Sequence, residues 1–198
     1  MQSLPAELSA DKPALRLRLK ELRDGIPASL RAERSRAMAD LLWELPLYGQ
    51  SKTVLFYAPI RSEVDLLPLA ERALTEGKEV AFPISHTESF TLTFHRITEM
   101  EQLRTGAYGI REPDSSCPQI TDLSEALCLV PALAFDLRGY RLGYGKGFYD
   151  RFLADFNGIS LGICFGDCLV SRLPRGMYDR KVDLILTEGG VTTPYEAV

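Results

Sequence analysis

Apolar residues change their spacing several times along the chain, and each change marks an element. Leu15, Leu19 and Leu22 recur at i, i+4 and i+7. Ser9 and Asp11 before them suit a helix cap and Pro13 a first turn, so the spacing predicts a helix that Gly25 and Pro27 end. A second helix is expected from about Ser29 through Leu30, Met38, Leu41 and Leu42 to a stop at Pro46, giving an N-terminal helical hairpin. From Thr53 the period shortens. Val54, Leu55, Phe56 and Tyr57 form a β-rich run, then come Ala58-Pro59-Ile60, an amphipathic stretch from Val64 to Glu76 closed by Gly77, and a strand from Lys78 to Phe82. Strand, helix and strand at this spacing make a βαβ unit and hence a parallel sheet.

Further along, Leu92 to Phe94 reads as a weaker strand, and the segment from Gly106 to Gln119, rich in Gly, Pro, Asp and Ser, as a long surface connection. Ala126 to Val130 is uninterruptedly apolar, as expected of a strand covered on both faces, and Pro131 ends it. A helix is expected from about Phe148 to Phe156, then strands at Ser160 to Phe165 and Val182 to Thr187, with a polar turn around Leu173 to Asp179 between them. No internal repeat or long linker divides the chain. The expectation is one α/β domain over residues 1–198: an open, mainly parallel sheet with helices on both faces and the N-terminal helices over one end.

Composition narrows the classes. With 198 residues, 45% hydrophobic and 25% charged, the chain has the apolar content to build a core, which argues against disorder. Its 23 basic and 27 acidic side chains leave a net charge of -4, so no overall field attracts nucleic acid or anionic lipid, and any anion site has to be local. The apolar runs around Leu127 to Phe135 and Ile159 to Phe165 are far shorter than the roughly 20 residues of a membrane span. Met1 to Lys12 lacks the pattern of a secretory signal, which makes a cytoplasmic location the expectation. Cys117, Cys128, Cys164 and Cys168 have no C-x-x-C spacing and read as reduced, mostly buried thiols.

The densest chemistry lies between the buried strand near Val130 and the helix beginning near Phe148. There Arg141-Leu142-Gly143-Tyr144-Gly145-Lys146-Gly147-Phe148-Tyr149-Asp150 alternates glycine with cations and aromatics. Glycines at 143, 145 and 147 let backbone N–H groups approach a ligand closely, and the following helix presents its positive end. Arg141 offers a forked donor and Lys146 a point charge, so the loop suits phosphate. It is neither a Walker loop nor a dinucleotide fingerprint, since Tyr140 and Gly147 break the first pattern and Phe148 the second.

Asp150 is suited either to hold magnesium against bound phosphates or merely to begin a helix. Asp179 and Asp183 are further candidates because they precede a strand that could lie beside the loop, while spacing alone favours a solvated turn for them. Lys12 and Arg16 share one face of the first helix, but Arg18, Lys20 and Arg23 make that helix basic all round, the usual mark of a solvated surface. Glu63 follows the first strand at the end where open α/β sheets place ligands, and it reads equally as an early helix carboxylate. His86 and His95 have no partner at a catalytic spacing, and no Ser-His-Asp or Cys-His set can be assembled.

Taken together these motifs resemble the 5-formyltetrahydrofolate cyclo-ligase family along nearly the whole chain. Lys12-Pro13-Ala14-Leu15-Arg16 is similar to the family's K-x-x-L-R start, Glu63-Val64 to its E-[VI], and Tyr108-Gly109-Ile110-Arg111-Glu112-Pro113 to its G-I-x-E-P segment. Val130 to Asp136 followed by Arg141 to Asp150 is the most specific match. The resemblance implies ATP- and magnesium-dependent closure of 5-formyltetrahydrofolate to 5,10-methenyltetrahydrofolate, with release of ADP and phosphate.

By motif position, Lys12, Arg16 and the loop of Arg141, Leu142, Gly143, Tyr144, Gly145, Lys146, Gly147, Phe148 and Tyr149 would bind ATP. Arg141 and Lys146 would act on the transferring phosphate, and Asp150 and Asp179 would meet magnesium. Glu63 would bond the pterin, with Phe148 or Tyr149 on the folate side near N10. The chain departs from the family at Phe148, where Tyr is frequent, and at Tyr178, where His is frequent. Its partners are then expected to be small molecules only, with neither nucleic acid nor membrane, and the chain to be a monomer or weak homodimer. The competing readings are a diverged relative of the same fold, or a sensor whose glycine loop holds a phosphate ligand without chemistry.

Overall fold

The computed structural model of the chain describes residues 11–195. Helices α1 (Lys12–Asp24), α2 (Ala28–Glu44), α3 (Pro46–Gln50), α4 (Leu67–Thr75) and α5 (Phe148–Asp155) surround a central sheet. The strands are β1 (Thr53–Leu55), β2 (Glu79–His86), β3 (Thr91–Ile97), β4 (Leu103–Thr105), β5 (Arg111–Pro113), β6 (Leu127–Pro131), β7 (Ala134–Asp136), β8 (Arg141–Leu142), β9 (Ile159–Ile163), β10 (Leu169–Val170), β11 (Leu184–Thr187) and β12 (Gly190–Thr192). Seven of them form the main sheet in the order β12-β11-β9-β6-β1-β2-β3. The inner pairs are parallel and the two edge strands, β3 and β12, are antiparallel to their neighbours.

The inner strands read as apolar runs because both faces are covered. Side chains alternate between two cores with the period of a strand: Val54, Phe56, Val80, Phe82, Leu127 and Leu129 enter one, and Leu55, Ala81, Cys128 and Val130 the other. The first core is closed by Met38 and Leu42 of α2, Tyr48 of α3 and Leu69 of α4. The second is closed by Leu15 and Leu19 of α1, with Tyr149, Phe152 and Leu153 of α5 packed against it. The N-terminal helix pair forms as expected, and its two members serve opposite faces of the sheet. All four cysteines are unpaired and buried.

Several details differ from the periodicity. The buried stripe of α1 runs Leu15, Leu19, Arg23, while Leu22 is exposed, because strict i+4 steps bring an arginine and not a leucine inward. Asp11 stands at the N-cap of α1, and Ser9, the other expected cap, lies outside the described residues. Pro46 ends α2 and also starts α3, since a proline is tolerated in a first turn. The weak strand expected at Leu92 to Phe94 is part of a seven-residue strand paired with β2 from Val80 to His86.

The segment 106–119, expected on the surface, is partly inside. β5 pairs with β4, and Glu112 is buried, accepting hydrogen bonds from the backbone N–H of Ser85 at 3.1 Å and Ala107 at 3.2 Å. The turn after β6 carries a small sheet in the order β10-β7-β8, unforeseen because its strands have only two or three residues. Asp136 anchors it. Fully buried, it accepts bonds from the N–H of Arg138, Tyr140 and Leu173 at 3.0 Å each and pairs with the Arg138 guanidinium at 2.7 Å.

This topology decides where a ligand can sit. From β1 the chain goes to β2 on one side, while β6, β9 and β11 extend the sheet on the other. The strand order therefore reverses between β1 and β6, and the loops leaving their C-terminal ends separate and open a crevice there.

Candidate active site

A cavity of about 840 Å³ occupies that crevice. Its walls come from the segment after β1 (Tyr57, Glu63), the end of β6 (Pro131), the loop between β8 and α5, the start of α1 (Lys12, Arg16) and the turn holding Tyr178 and Asp179. The crevice thus brings together Lys12, Arg16, Glu63, Asp179 and every residue from Arg141 to Asp150. Asp183 does not line it; its carboxylate accepts bonds from the N–H of Ser160 at 2.8 Å and the Ser160 hydroxyl at 2.5 Å. His86 and His95 are likewise elsewhere, joined through the Thr93 hydroxyl on the outer hairpin.

At the glycine-loop end the backbone needs glycine. Gly145 has φ +98° and Gly147 φ +75°, conformations that a side chain strongly disfavours. A Cβ at 145 would also meet the Arg16 guanidinium carbon at 3.1 Å. Arg16 lies against the loop because its Nε donates to the Gly143 carbonyl at 2.9 Å. Lys12, one turn earlier, pairs with Asp179 at 2.5 Å, and Asp179 also accepts from the Gly176 N–H at 2.7 Å. The basic face of α1 is therefore part of the cavity wall, where spacing alone reads as solvated surface.

Arg141 is buried, with Nη2 2.9 Å from Asp150 Oδ2. That contact is close enough for an ion pair but lacks hydrogen-bond alignment, and Nε has no protein partner. Burial lowers the Arg141 pKa and the nearby Asp150 carboxylate opposes the shift. Lys146 is exposed, with its ammonium 5.5 Å from the centre of the Phe90 ring. Unsatisfied guanidinium donors, a flexible ammonium and glycine backbone in one wall form a cradle suited to an anion with several oxygens.

Asp150 and Asp179 are the carboxylates of this end. They are hard oxygen donors suited to magnesium, which takes one or two carboxylates and completes its shell with water and phosphate oxygens. Among the described residues no three His, Cys, Asp or Glu side chains gather as a metal cage. The set fits an ion shared with a phosphorylated ligand and not one held by protein alone.

The wall around Glu63 is buried. Glu63 is buried, and its Oε2 accepts from the Ile60 N–H at 3.0 Å. Burial pushes its pKa up to about 7 against the opposing effects of that N–H, of Arg23 and of the Tyr144 hydroxyl. Arg23, 2% exposed, donates from Nε to Ser62 Oγ at 3.0 Å, from Nη1 to the Ala132 carbonyl at 3.1 Å and from Nη2 to the Tyr144 hydroxyl at 2.6 Å. Its Nη1 lies 3.8 Å from Glu63 Oε1. Sequence reasoning passed over Arg23, although its i+4 step from Leu19 is a usable signal.

Between the two ends stand aromatic rings. Phe148 meets Phe90 and Tyr108 edge to face, with ring centres 5.7 and 6.2 Å apart. Tyr149 lies under the Arg141 guanidinium at 5.5 Å, and its hydroxyl is buried without a protein partner. Tyr108 lines the cavity and Phe90 backs Phe148 from the β2–β3 hairpin, placements that spacing along the chain does not give; both have positive φ.

The chain and its fold are similar to known proteins. The model of the 5-formyltetrahydrofolate cyclo-ligase family matches residues 8–188. A 5-formyltetrahydrofolate cyclo-ligase of Mycolicibacterium smegmatis is 30% identical over 184 residues, covering 89% of this chain and 93% of that protein. The Escherichia coli K12 enzyme of the same name is 28% identical, covering 87% and 98%. The NMR structure of Aquifex aeolicus 5,10-methenyltetrahydrofolate synthetase superposes with a TM-score of 0.83 at 34% identity and covers 94% of each chain.

Proposed function

The chain belongs to the 5-formyltetrahydrofolate cyclo-ligase family, and on that premise we propose that its cavity closes 5-formyltetrahydrofolate to 5,10-methenyltetrahydrofolate with conversion of ATP to ADP and phosphate. The observation that carries this reading is the union in one crevice of a glycine-and-cation cradle with a buried carboxylate facing it. Two ligands of different chemistry are implied, one polyanionic and one presenting hydrogen-bond donors.

The chemistry needs both. A formamide oxygen leaves poorly, so transfer of the γ-phosphoryl group to it makes an imidate-like phosphate. N10 then attacks the formyl carbon, the five-membered ring closes, and the former formyl oxygen departs in inorganic phosphate. No protein nucleophile is required; the work is alignment, charge neutralisation and exclusion of water.

In this scheme Lys146 and Arg141 neutralise the transferring phosphoryl group, the latter with guanidinium donors left unsatisfied by protein. Arg16, and Lys12 through its side chain, flank the polyphosphate beside the N–H groups of residues 143–147. Magnesium, held by Asp150 and Asp179, would supply further neutralisation of phosphate charge. Glu63 accepts from the 2-amino and N3–H donors of the pterin, a pairing that a carboxylate matches with two oxygens. Phe148 and Tyr149 pack along the folate toward N10. The Phe148 ring keeps the packing surface and gives up the hydroxyl frequent at this position in the family.

The test is a mixture of purified protein, 5-formyltetrahydrofolate, ATP and magnesium, followed by the absorbance of the methenyl product. A rise that needs all four components is the expected result. No rise from folded protein that binds ATP would overturn the activity and leave a phosphate-ligand sensor.

A further inference from the structure

Arg23 is the most deeply buried arginine among the described residues, and unlike Arg141 it uses each of its nitrogens. The cost of burying a guanidinium is several kcal/mol unless partners compensate, so its placement has to be explained by what it holds. Its three nitrogens reach three segments that each carry a cavity-lining residue: Ser62 beside Glu63, the Ala132 carbonyl beside Pro131, and the Tyr144 hydroxyl in the glycine loop. The fourth contact is electrostatic, to Glu63 itself at 3.8 Å. Ser62 in turn donates to the carboxylate of Asp24, next to Arg23 at the end of α1, which closes the network.

We propose that Arg23 is a positioning residue: it aligns Glu63 as a carboxylate toward the folate and ties it, through Tyr144, to the glycine loop. This rests on the reading that Glu63 binds the pterin. The groups facing Glu63 are few. Arg23 approaches from α1, Tyr144 from the glycine loop and the Ile60 N–H from its own segment, while the Tyr57 and Tyr149 rings, from the end of β1 and from α5, are buried nearby and uncharged at neutral pH. Among the described residues that act on Glu63, Arg23 is the one that brings a positive charge against it.

A pterin with two donors binds a carboxylate better than a protonated acid, so folate affinity should rise with pH as Glu63 ionises, with a midpoint near 7. Binding of 5-formyltetrahydrofolate would be measured by calorimetry from pH 5.5 to 8.5, in the presence of magnesium and a non-hydrolysable ATP analogue. Three variants are compared with the unaltered chain: Arg23→Gln, Arg23→Lys and Tyr144→Phe. In Arg23→Gln the midpoint should move to higher pH by roughly one unit, and affinity at pH 7 should then fall about fivefold as the ionised fraction of Glu63 drops. Arg23→Lys should restore most of the midpoint. Tyr144→Phe, which removes only one hydroxyl and keeps the fold testable if Arg23→Gln does not fold, should shift it in the same direction by less.

A midpoint unmoved in Tyr144→Phe and, where it folds, in Arg23→Gln, or an equal loss of affinity at every pH, would overturn the positioning role while leaving folate binding intact. Absence of folate binding to the unaltered chain at any pH would overturn the folate reading, and this inference with it.

Discussion

The two ends of the cavity are built in opposite ways. The anion end is largely local and exposed: Gly143, Tyr144, Gly145, Lys146 and Gly147 follow one another, Lys146 is exposed, and the loop conformation does the shaping. The carboxylate end is dispersed and buried: Glu63, Arg23, Tyr144 and the Ala132 carbonyl come from four separate segments, and the Glu63 and Arg23 side chains are almost fully covered. A phosphate cradle gains from mobile cations that water can reach before the ligand arrives. A donor-reading carboxylate gains from a site where few alternatives exist for its oxygens. The difference implies that damage at the first end should appear in nucleotide use, and damage at the second in folate use and in the pH dependence of stability.

The largest effect is expected at the anion end. Lys146→Ala should lower kcat/KM for ATP by about 100-fold, on the order of what loss of one donor to a developing oxyanion costs, with thermal stability unchanged because the ammonium is exposed. Steady-state kinetics and a melting curve check both parts.

The other end is best probed through protons. Glu63 holds its proton to about pH 7 in the folded chain against 4.5 for an ordinary glutamate. Between those values the unfolded chain has released a proton that the folded one retains, so stability falls as pH rises through this window. The full loss is about 3 kcal/mol above pH 7. Glu63→Gln removes the slope. It should match the unaltered chain near pH 5 and exceed it by up to that amount at pH 8, as read from urea unfolding at the two pH values. Equal stability differences at both would mean that the carboxyl is not held in its neutral form by burial.

Gly145→Ala should cost about 1–3 kcal/mol of loop strain, since the position has φ +98° and Arg16 stands 3.1 Å from the added carbon. Because the loop can relax outward, the larger part of that cost should appear as weaker ATP binding and only a small part as a lower Tm. Arg34→Ala is the smallest change and a control remote from both ends. Its pairs with Asp167 and Glu188 are partly exposed, so the loss should stay below about 1 kcal/mol by denaturation, with kinetics unaltered.

The same contrast explains how far the residues could be read before folding. The anion loop was legible because its glycines and cations are contiguous, and the parallel sheet because its inner strands are short apolar runs between turn residues. The carboxylate end was legible only at Glu63, from its place after the first strand. Arg23 was hidden by an ambiguity of helical spacing: i+3 from Leu19 gives Leu22 and i+4 gives Arg23, and hydrophobicity favours the wrong one. Glu112 was hidden by its neighbours, since Gly106, Gly109 and Pro113 read as a surface turn, while the burial of Glu112 depends on backbone N–H groups supplied by β2 and by residue 107. Lys12 and Arg16 had the right residue types on the right face, but only the packing of α1 beside the loop distinguishes a ligand-facing stripe from a solvated one.

The most direct measurement is calorimetric binding of ATP with magnesium, and separately of 5-formyltetrahydrofolate, to Lys146→Ala and to Glu63→Ala. Two ends serving two ligands predict a crossed result: Lys146→Ala weakens ATP and spares folate, and Glu63→Ala weakens folate and spares ATP. Loss of ATP affinity in Glu63→Ala with folate binding preserved would contradict the assignment of the cavity's two ends.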